Sequence, residues 1–221
     1  MNPEFWHERW EHGEIGFHQA AINPHLEQHW PRLNLPAQAR VFVPLCGKSL
    51  DMLWLAGEGH RVVGVELSER AVEAFFREND LLPEITDAGA FRRYAVDEIE
   101  ILCGDFFDLD RRTLGPVEAV FDRASLVALP PAMRERYVAH MVGLLDPAAI
   151  VLLVTFDYPQ AEMDGPPFAV TEAEVRHLYQ ADFDVQPLAA VDILAEHPRF
   201  HERGLTRLDE VVFVLGRQSR R

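Results

Sequence analysis

The sequence VFVPLCGKS at residues 41–49 decides the fold. Its first half is a short apolar run typical of a buried strand, and Pro44 brings that run to an end because proline cannot donate to a strand ladder. We predict a helix from Ser49 to Ala56, and a second apolar strand, RVVGVE, follows at residues 61–66. A strand, a tight loop, a helix and another strand form a βαβ unit, so the two strands are expected to lie parallel in one sheet.

The same alternation continues along the chain. Further strands are predicted at residues 99–103, 117–121, 150–156, 185–194 and 210–216. The last two have no helix between them, so we expect them to pair antiparallel at one edge. The sequence therefore predicts an α/β fold with a seven-stranded, mostly parallel sheet covered by helices on both faces. The connection from Leu81 to Glu98 is longer than a minimal one, and a mobile lid is one interpretation of its length.

Composition and charge narrow the class of protein. The chain has 221 residues and a formal net charge of −15, which argues against binding to nucleic acid phosphates. The N-terminus lacks the basic start and apolar run of a signal peptide, and no apolar run is long enough to span a bilayer. Only Cys46 and Cys103 are present, and they are not spaced as a pair. We expect a cytoplasmic protein of one domain, without a membrane segment.

The loop after the first strand suggests a ligand site. Glu66 ends the second strand about twenty positions later, where a carboxylate can accept hydrogen bonds from both hydroxyls of a ribose. Gly47 lets the backbone approach a ligand without an intervening Cβ. The loop has one glycine, so it matches neither the three-glycine dinucleotide fingerprint nor a P-loop. From these residues alone, an ordinary βα turn with a surface glutamate stays open as the alternative.

Two more strand ends carry candidate residues. Asp105 and Phe106 follow the third strand, where an acid and an aromatic ring suit an adenine, although Gly-Asp is also common turn chemistry. Asp122 and Arg123 follow the fourth strand, where charged residues rarely stand without a partner. They are either functional or purely structural.

The N-terminal helix contributes an aromatic pair. Trp6 and Trp10 are four residues apart and therefore share one helix face. Aromatic faces attract cations, including a poorly hydrated sulfonium. The alternative is that both rings pack the helix onto the core.

Other chemistries have little support. His25 and His29 have helical spacing, but the intervening glutamate is misplaced for a zinc-protease motif and no third ligand is indicated, so we predict no metal site. Ser125 does not lie in a nucleophile elbow. Cys46 is expected to be a buried, inert thiol.

Taken together, these segments resemble the thiopurine S-methyltransferase family, and specifically its bacterial members. The resemblance rests on ordered blocks through nearly the whole chain. The blocks are Phe5-Trp6 to Trp10, Gly13 with Phe17-His18-Gln19, residues 43–49 with Asp51-Met52, residues 64–68, Phe107-Asp108-Leu109, residues 122–129 and Gly165-Pro166-Pro167-Phe168.

The resemblance implies a Rossmann-like class I methyltransferase fold with strand order 3-2-1-4-5-7-6 and strand seven antiparallel. It divides the single domain, residues 1–221, into an N-terminal helical lid segment (1–35), a cofactor-binding core (41–156), and substrate-side loops with the C-terminal antiparallel strands (157–221). The implied cofactor is S-adenosyl-L-methionine, with S-adenosyl-L-homocysteine as product.

The resemblance also assigns site residues. It places Trp10, Leu45, Glu66 and Arg123 on the cofactor, with Trp6 and Phe106 as further contacts. Gly47 and Asp105 join this set from their positions in the chain. Phe17 and Arg199 are implied on the substrate side. We name no certain catalytic residue, but Arg123 and Arg199 are candidates to stabilise the negative charge of a nucleophile, because a guanidinium offers a planar donor fork.

The implied reaction transfers a methyl group to the sulfur of a thiopurine or related thiol, and extends to selenium or tellurium compounds. We expect a monomer that acts on a small molecule. The alternatives are a halide or small-thiol methyltransferase and a catalytically weak cofactor-binding protein. A nicotinamide oxidoreductase is disfavoured because the glycine fingerprint is missing.

Overall fold

The computed structural model describes residues 3–16 and 18–217. Nine strands lie in these ranges: β1 Arg40–Val43, β2 Arg61–Glu66, β3 Glu84–Ala88, β4 Phe91–Val96, β5 Ile99–Cys103, β6 Ala119–Arg123, β7 Ile150–Asp157, β8 Phe183–Asp192 and β9 Asp209–Arg217. The α-helices of the same ranges are α1 Pro3–His12, α2 Pro24–His29, α3 Asp51–Gly57, α4 Glu69–Glu78, α5 Arg111–Leu114, α6 Pro131–Leu144, α7 Glu172–Tyr179 and α8 Pro198–Glu202. The α/β class predicted from the sequence is confirmed.

The first of two compact units comprises the described residues up to Phe121 together with Gly143–Asp146. Its strand order is β3-β4-β5-β2-β1-β6. β1 pairs parallel with both β2 and β6, and β2 pairs parallel with β5. Five of the six residues of β2 are buried, as expected for a strand that is covered on both faces. The predicted order 3-2-1-4 is therefore present as β5-β2-β1-β6.

A hairpin at the edge of this unit corrects the predicted number of strands. β3 and β4 pair antiparallel, and β4 also pairs antiparallel with β5. Residues 81–98 are thus mainly paired strand rather than an irregular connection, and their role as a mobile lid stays a hypothesis. The prediction of seven strands is wrong, because these two extend the sheet beyond β5. Gly89 adopts a φ of 70° in the tight turn between the two strands, a conformation that glycine adopts without strain.

The second unit comprises Asp122–Val142 and the described residues from Pro147 onward. β9 pairs antiparallel with β7 on one side and β8 on the other, which gives the order β7-β9-β8 and confirms the predicted antiparallel strand. Thr171 caps α7 by accepting a hydrogen bond from the backbone N–H of Glu174. A cluster of buried side chains that includes Tyr158, Phe200 and Leu208 packs in this unit.

The start of α3 differs from the prediction, because the helix begins at Asp51 rather than Ser49. Ser68 precedes α4, but its side chain makes no capping hydrogen bond. Its backbone N–H instead donates to Glu66. The β2–α4 junction is therefore held by a strand residue rather than by a side-chain cap.

Within the described ranges, no helix is both long and apolar enough to cross a membrane. The same residues contain no cluster of three or more His, Cys, Asp or Glu side chains suited to a metal ion. Cys46 and Cys103 are both free thiols.

The glycine in the middle of β2 gives a first test. A Cβ added at Gly64 would lie 2.7 Å from the Sγ atom of Cys46 and 3.1 Å from the Sδ atom of Met52. We predict that Gly64→Ala lowers the free energy of unfolding by about 1–3 kcal/mol, the usual cost of overpacking. Denaturant unfolding measures this. Gly57→Ala is the control, since a Cβ there meets nothing within 4 Å; an equal loss in both variants would contradict the packing argument.

Candidate active site

The loop after β1 turns back over β2. The backbone N–H of Cys46 donates to the carbonyl of Val65 at 2.9 Å, which fixes the loop above the neighbouring strand. Leu45 and Gly47 both have positive φ, 46° and 54°. A leucine in this region carries backbone strain, and such strain is common where a loop is shaped for a ligand. The turn directs the N–H of Gly47 toward the end of β2.

Glu66 receives that N–H. Its Oε2 accepts from Gly47 at 2.8 Å, and its Oε1 accepts from Ser68 at the same distance. The side chain is only 7% exposed, and this burial raises the pKa of the carboxyl group while the backbone hydrogen bonds oppose the rise. The backbone N–H of Leu67 is a third donor to this carboxylate. Two acceptor positions on each oxygen make four in all, so the group keeps capacity for a ligand hydroxyl.

Trp10 covers the same loop. A Cβ added at Gly47 would lie 3.2 Å from the Cζ2 atom of Trp10, so the indole ring occupies the space that a side chain would need. Trp10 is buried, whereas Trp6 is half-buried and packs edge-on against Phe5 with ring centroids 5.2 Å apart. The substrate-side candidate Phe17 lies outside the described residues.

The end of β5 meets the end of β2. The N–H of Gly104 donates to the backbone carbonyl of Glu66 at 2.9 Å, which brings the next residue, Asp105, to the same edge. The carboxylate of Asp105 accepts from the N–H of Phe107 at 2.9 Å and so forms the turn that the sequence offered as its alternative role. Phe106 is buried, with its ring stacked on Phe42 at a centroid distance of 6.4 Å.

The two arginine candidates belong to the second unit. Arg123 is the last residue of β6 and is half-buried. Arg199 is exposed in α8, with its guanidinium carbon 4.8 Å from the ring centroid of Phe200. Burial and the neighbouring Arg203 lower the pKa of Arg199. The structure thus brings Trp10, Gly47, Glu66 and the backbone leading to Asp105 together in the first unit, and it places these two cations in the other.

Comparison with known proteins now decides the family. The family model for thiopurine S-methyltransferase matches residues 1–218. The chain belongs to the thiopurine S-methyltransferase family. It is 54% identical to a thiopurine S-methyltransferase of Pseudomonas fluorescens over 213 residues, which cover 96% of this chain and 98% of the relative. It is also 54% identical to the enzyme of that name from Nitrosospira multiformis over 215 residues, which cover 97% and 98%.

Solved structures agree on the fold. The 1,6-didemethyltoxoflavin-N1-methyltransferase of Burkholderia thailandensis, solved with S-adenosylhomocysteine bound, matches with a TM-score of 0.64 at 18% identity over 98% of this chain and 87% of that one. A SAM-dependent methyltransferase of Anabaena variabilis matches with a TM-score of 0.67 at 13% identity over 99% and 96%. The chain is therefore an S-adenosylmethionine-dependent methyltransferase of the thiopurine S-methyltransferase type with a class I fold. The roles of its individual site residues stay predictions.

The sequence did not predict two contacts near the loop, an ion pair made by Lys48 and a hydrogen bond made by Asp51. Lys48 follows the cofactor loop and mimics a P-loop lysine in sequence, but its Nζ lies 2.6 Å from Glu78 of α4. This pair borders an open cavity of about 550 Å³ between Trp10 and α4. Asp51, the first residue of α3, accepts a hydrogen bond from the N–H of Asn23. Both links join distant segments, so no local pattern reveals them.

The sequence left open whether Asp122 is a functional or a purely structural residue. It is 1% exposed, and its Oδ2 accepts a hydrogen bond from the hydroxyl of Tyr137 at 2.8 Å. Burial raises the pKa of Asp122 to about 6, although hydrogen bonds from Tyr137, Ser125 and the backbone of Leu126 oppose the rise. The carboxyl group sits beside Arg123 in the chain and braces the end of β6 against α6.

Asp122 makes the stability of the protein depend on pH. Its pKa is higher in the folded state than the ordinary value of 3.8, so the folded state binds more protons between pH 4 and pH 6. The free energy of unfolding is therefore expected to fall by roughly 3 kcal/mol from this group as the pH rises through that window. We predict that Asp122→Asn removes this fall, as measured by denaturant unfolding at a series of pH values. Parallel pH profiles for the two proteins would contradict the prediction.

Proposed function

We propose that the protein transfers a methyl group from S-adenosylmethionine to the sulfur of a thiopurine or a related thiol, and to selenium or tellurium compounds of similar reactivity. The hydrogen bond from Gly47 to Glu66 is the observation that carries the cofactor site. The names of the relatives support a thiopurine-type acceptor. When bound, the cofactor supplies a methyl group on a sulfonium and leaves as the neutral thioether of S-adenosylhomocysteine.

The residues of the first unit fit such a cofactor. Glu66 would accept the ribose hydroxyls with the acceptor capacity that the backbone N–H groups of Gly47, Ser68 and Leu67 leave available. The missing Cβ at Gly47 lets the ring of Trp10 lie directly against the loop backbone, so the indole borders the proposed cofactor loop. An electron-rich indole face near this loop favours a cation, and its burial keeps water away.

Further contacts complete the proposed cofactor site. Leu45 lies in the loop itself, and Trp6 lies one helical turn before Trp10. Asp105 and Phe106 stand at the end of β5, where the adenine is expected. Arg123, at the end of β6, stays a proposed cofactor contact.

On the acceptor side, we propose that positive charge stabilises the nucleophile and that no general base is required. A thiopurine thiol is acidic enough to exist as its anion near neutral pH. The guanidinium groups of Arg123 and Arg199 would stabilise that anion, and Phe17 would supply an aromatic surface. The residues contribute mainly by alignment and by exclusion of water.

The remaining assignments concern the setting of the reaction. We propose that the protein acts as a monomer on a small molecule in the cytoplasm. Two free cysteines suit a reducing compartment, since disulfides are rare there.

Loss of the Glu66 carboxylate tests the cofactor site. We predict that Glu66→Ala weakens the binding of S-adenosylhomocysteine by about 1.5–3 kcal/mol, the scale of a lost hydrogen bond to a charged group. Isothermal titration calorimetry measures this affinity. Glu84→Ala is the control, because Glu84 is an exposed residue of the edge strand β3. Equal affinity in Glu66→Ala and the wild type would refute the cofactor site.

Arg123 tests the acceptor chemistry. We predict that Arg123→Ala lowers kcat/KM for a thiopurine by about a hundredfold or more, as is usual when a group that stabilises developing charge is removed. Arg123→Lys should recover little of this loss, because lysine lacks the planar fork. Product formation followed by chromatography gives the rates. Full turnover in Arg123→Ala would show that the arginine has no such role.

A panel of acceptors distinguishes this function from its alternatives. The wild-type protein is assayed with thiopurines, small thiols, selenite, tellurite and halides. Methylation of thiopurines supports the proposal. Methylation of halides or small thiols alone would favour the halide or small-thiol enzyme, and cofactor binding without any product would favour a binding protein.

A further inference from the structure

The turn after β6 contains a residue in a strained conformation. Ala124 has a φ of 63°, in the left-handed region that residues with a Cβ seldom adopt. Such a conformation persists where the surrounding structure holds it in place, and it is common near functional sites. Ala124 directly follows Arg123, the proposed contact for the cofactor and the acceptor. The turn therefore influences the direction in which the Arg123 side chain extends.

The carboxylate of Asp122 closes this turn. It accepts hydrogen bonds from the backbone N–H of Leu126 and from the hydroxyl of Ser125, so one side chain joins both ends of residues 122–126. Ser125 is fully buried and precedes a short 3₁₀ helix, Leu126–Ala128. The strained turn is thus held between the end of a strand and the start of a helix.

The hydroxyl of Tyr137 fixes the same carboxylate from α6. It donates to the Oδ2 atom of Asp122 at 2.8 Å, and both residues are at most 1% exposed. Tyr137 lies in the middle of α6, a helix of 14 residues. Burial of a charge costs free energy unless hydrogen bonds compensate, and these donors supply that compensation. The carboxylate is therefore tied to a long helix as well as to the turn.

Asp122 can act on Arg123 through the backbone. Successive side chains of a strand point to opposite faces, so the buried Asp122 side chain and the half-buried Arg123 side chain leave β6 in opposite directions. Asp122 therefore orients Arg123 by holding the peptide units on either side of it. This effect concerns the backbone from which the Arg123 side chain extends, and it is independent of the other contacts that the guanidinium makes.

We propose that Asp122 is a positioning residue for Arg123 in methyl transfer. Its carboxylate holds the strained turn at Ala124, and so keeps the guanidinium of Arg123 in the direction that the reaction requires. Asp122 itself touches neither the cofactor nor the acceptor. The inference rests on the role proposed for Arg123, and it adds to that role the buried hydrogen bonds that maintain the direction of the side chain.

A double-mutant cycle tests this coupling. We expect Asp122→Ala to lower kcat/KM for a thiopurine about tenfold in the wild-type background, the scale of one hydrogen bond to a charged group. In the Arg123→Ala background the same change should lower kcat/KM less than about twofold, because the group that Asp122 orients is absent. The assays are made well above the pKa of Asp122, which is about 6, so that its carboxyl group is ionised.

Variants of matched shape separate orientation from packing. Asp122→Asn keeps the shape and an acceptor oxygen, so it should recover most of the kcat/KM that Asp122→Ala loses. Tyr137→Phe removes only a hydroxyl donor and should lower kcat/KM by about two- to fivefold. Tyr179→Phe is the control, since the hydroxyl of this buried tyrosine has no hydrogen-bond partner in the part of the chain that the structure describes. Its kcat/KM should match that of the wild type.

Rates are measured well below the thermal unfolding midpoint of each variant, so loss of fold is seen separately from loss of rate. A loss from Asp122→Ala that is equally large in the Arg123→Ala background would overturn the inference, as would wild-type kcat/KM in Asp122→Ala. Full turnover in the Arg123→Ala single variant would instead overturn the role proposed for Arg123, and the inference would fall with it.

Discussion

The hydrogen bond from the N–H of Gly47 to the carboxylate of Glu66 is the constraint around which the first unit is organised. It requires a positive φ at Gly47, a loop that returns over β2, and a side chain at the end of β2 that tolerates burial of its charge. The carboxylate tolerates burial because backbone N–H groups reach both oxygens. The same carboxylate keeps acceptor capacity for a ligand. The hydrogen bond that fixes the loop therefore also orients the proposed ligand contact.

Packing on either side of that bond is correspondingly tight. Gly64 has no room for a side chain because the loop presses Cys46 onto the middle of β2. Gly104 is equally restricted, since a Cβ there would lie 2.5 Å from the ring of Phe91 in the edge hairpin. The β3–β4 hairpin therefore packs against the residue that follows β5. Close packing around the strand ends suits a reaction whose rate depends on the alignment of the reacting groups.

Local pattern predicts the strands that are buried on both faces and misses β3, whose residues are mostly exposed. β1, β2 and β5 read as apolar runs, and the structure places them at or within one residue of the predicted starts. β3 is exposed at four of its five positions, so its residues give no strand periodicity, and the Gly89 turn was the remaining signal. The position of Glu66 at the end of β2 suggests a ligand contact, but the same local pattern also fits an ordinary βα turn. The Asn23–Asp51 link spans 28 residues, and no local spacing encodes it.

The family assignment and the loop geometry lead to one central claim, that Glu66 holds the ribose of S-adenosylmethionine while Gly47 holds Glu66. A crystal structure of the complex with S-adenosylhomocysteine tests it most directly. The account predicts both ribose hydroxyls at about 2.5–3.0 Å from the carboxylate oxygens of Glu66, with the Gly47 hydrogen bond retained. A ribose bound away from Glu66, or a loop that releases Glu66 on binding, would contradict it.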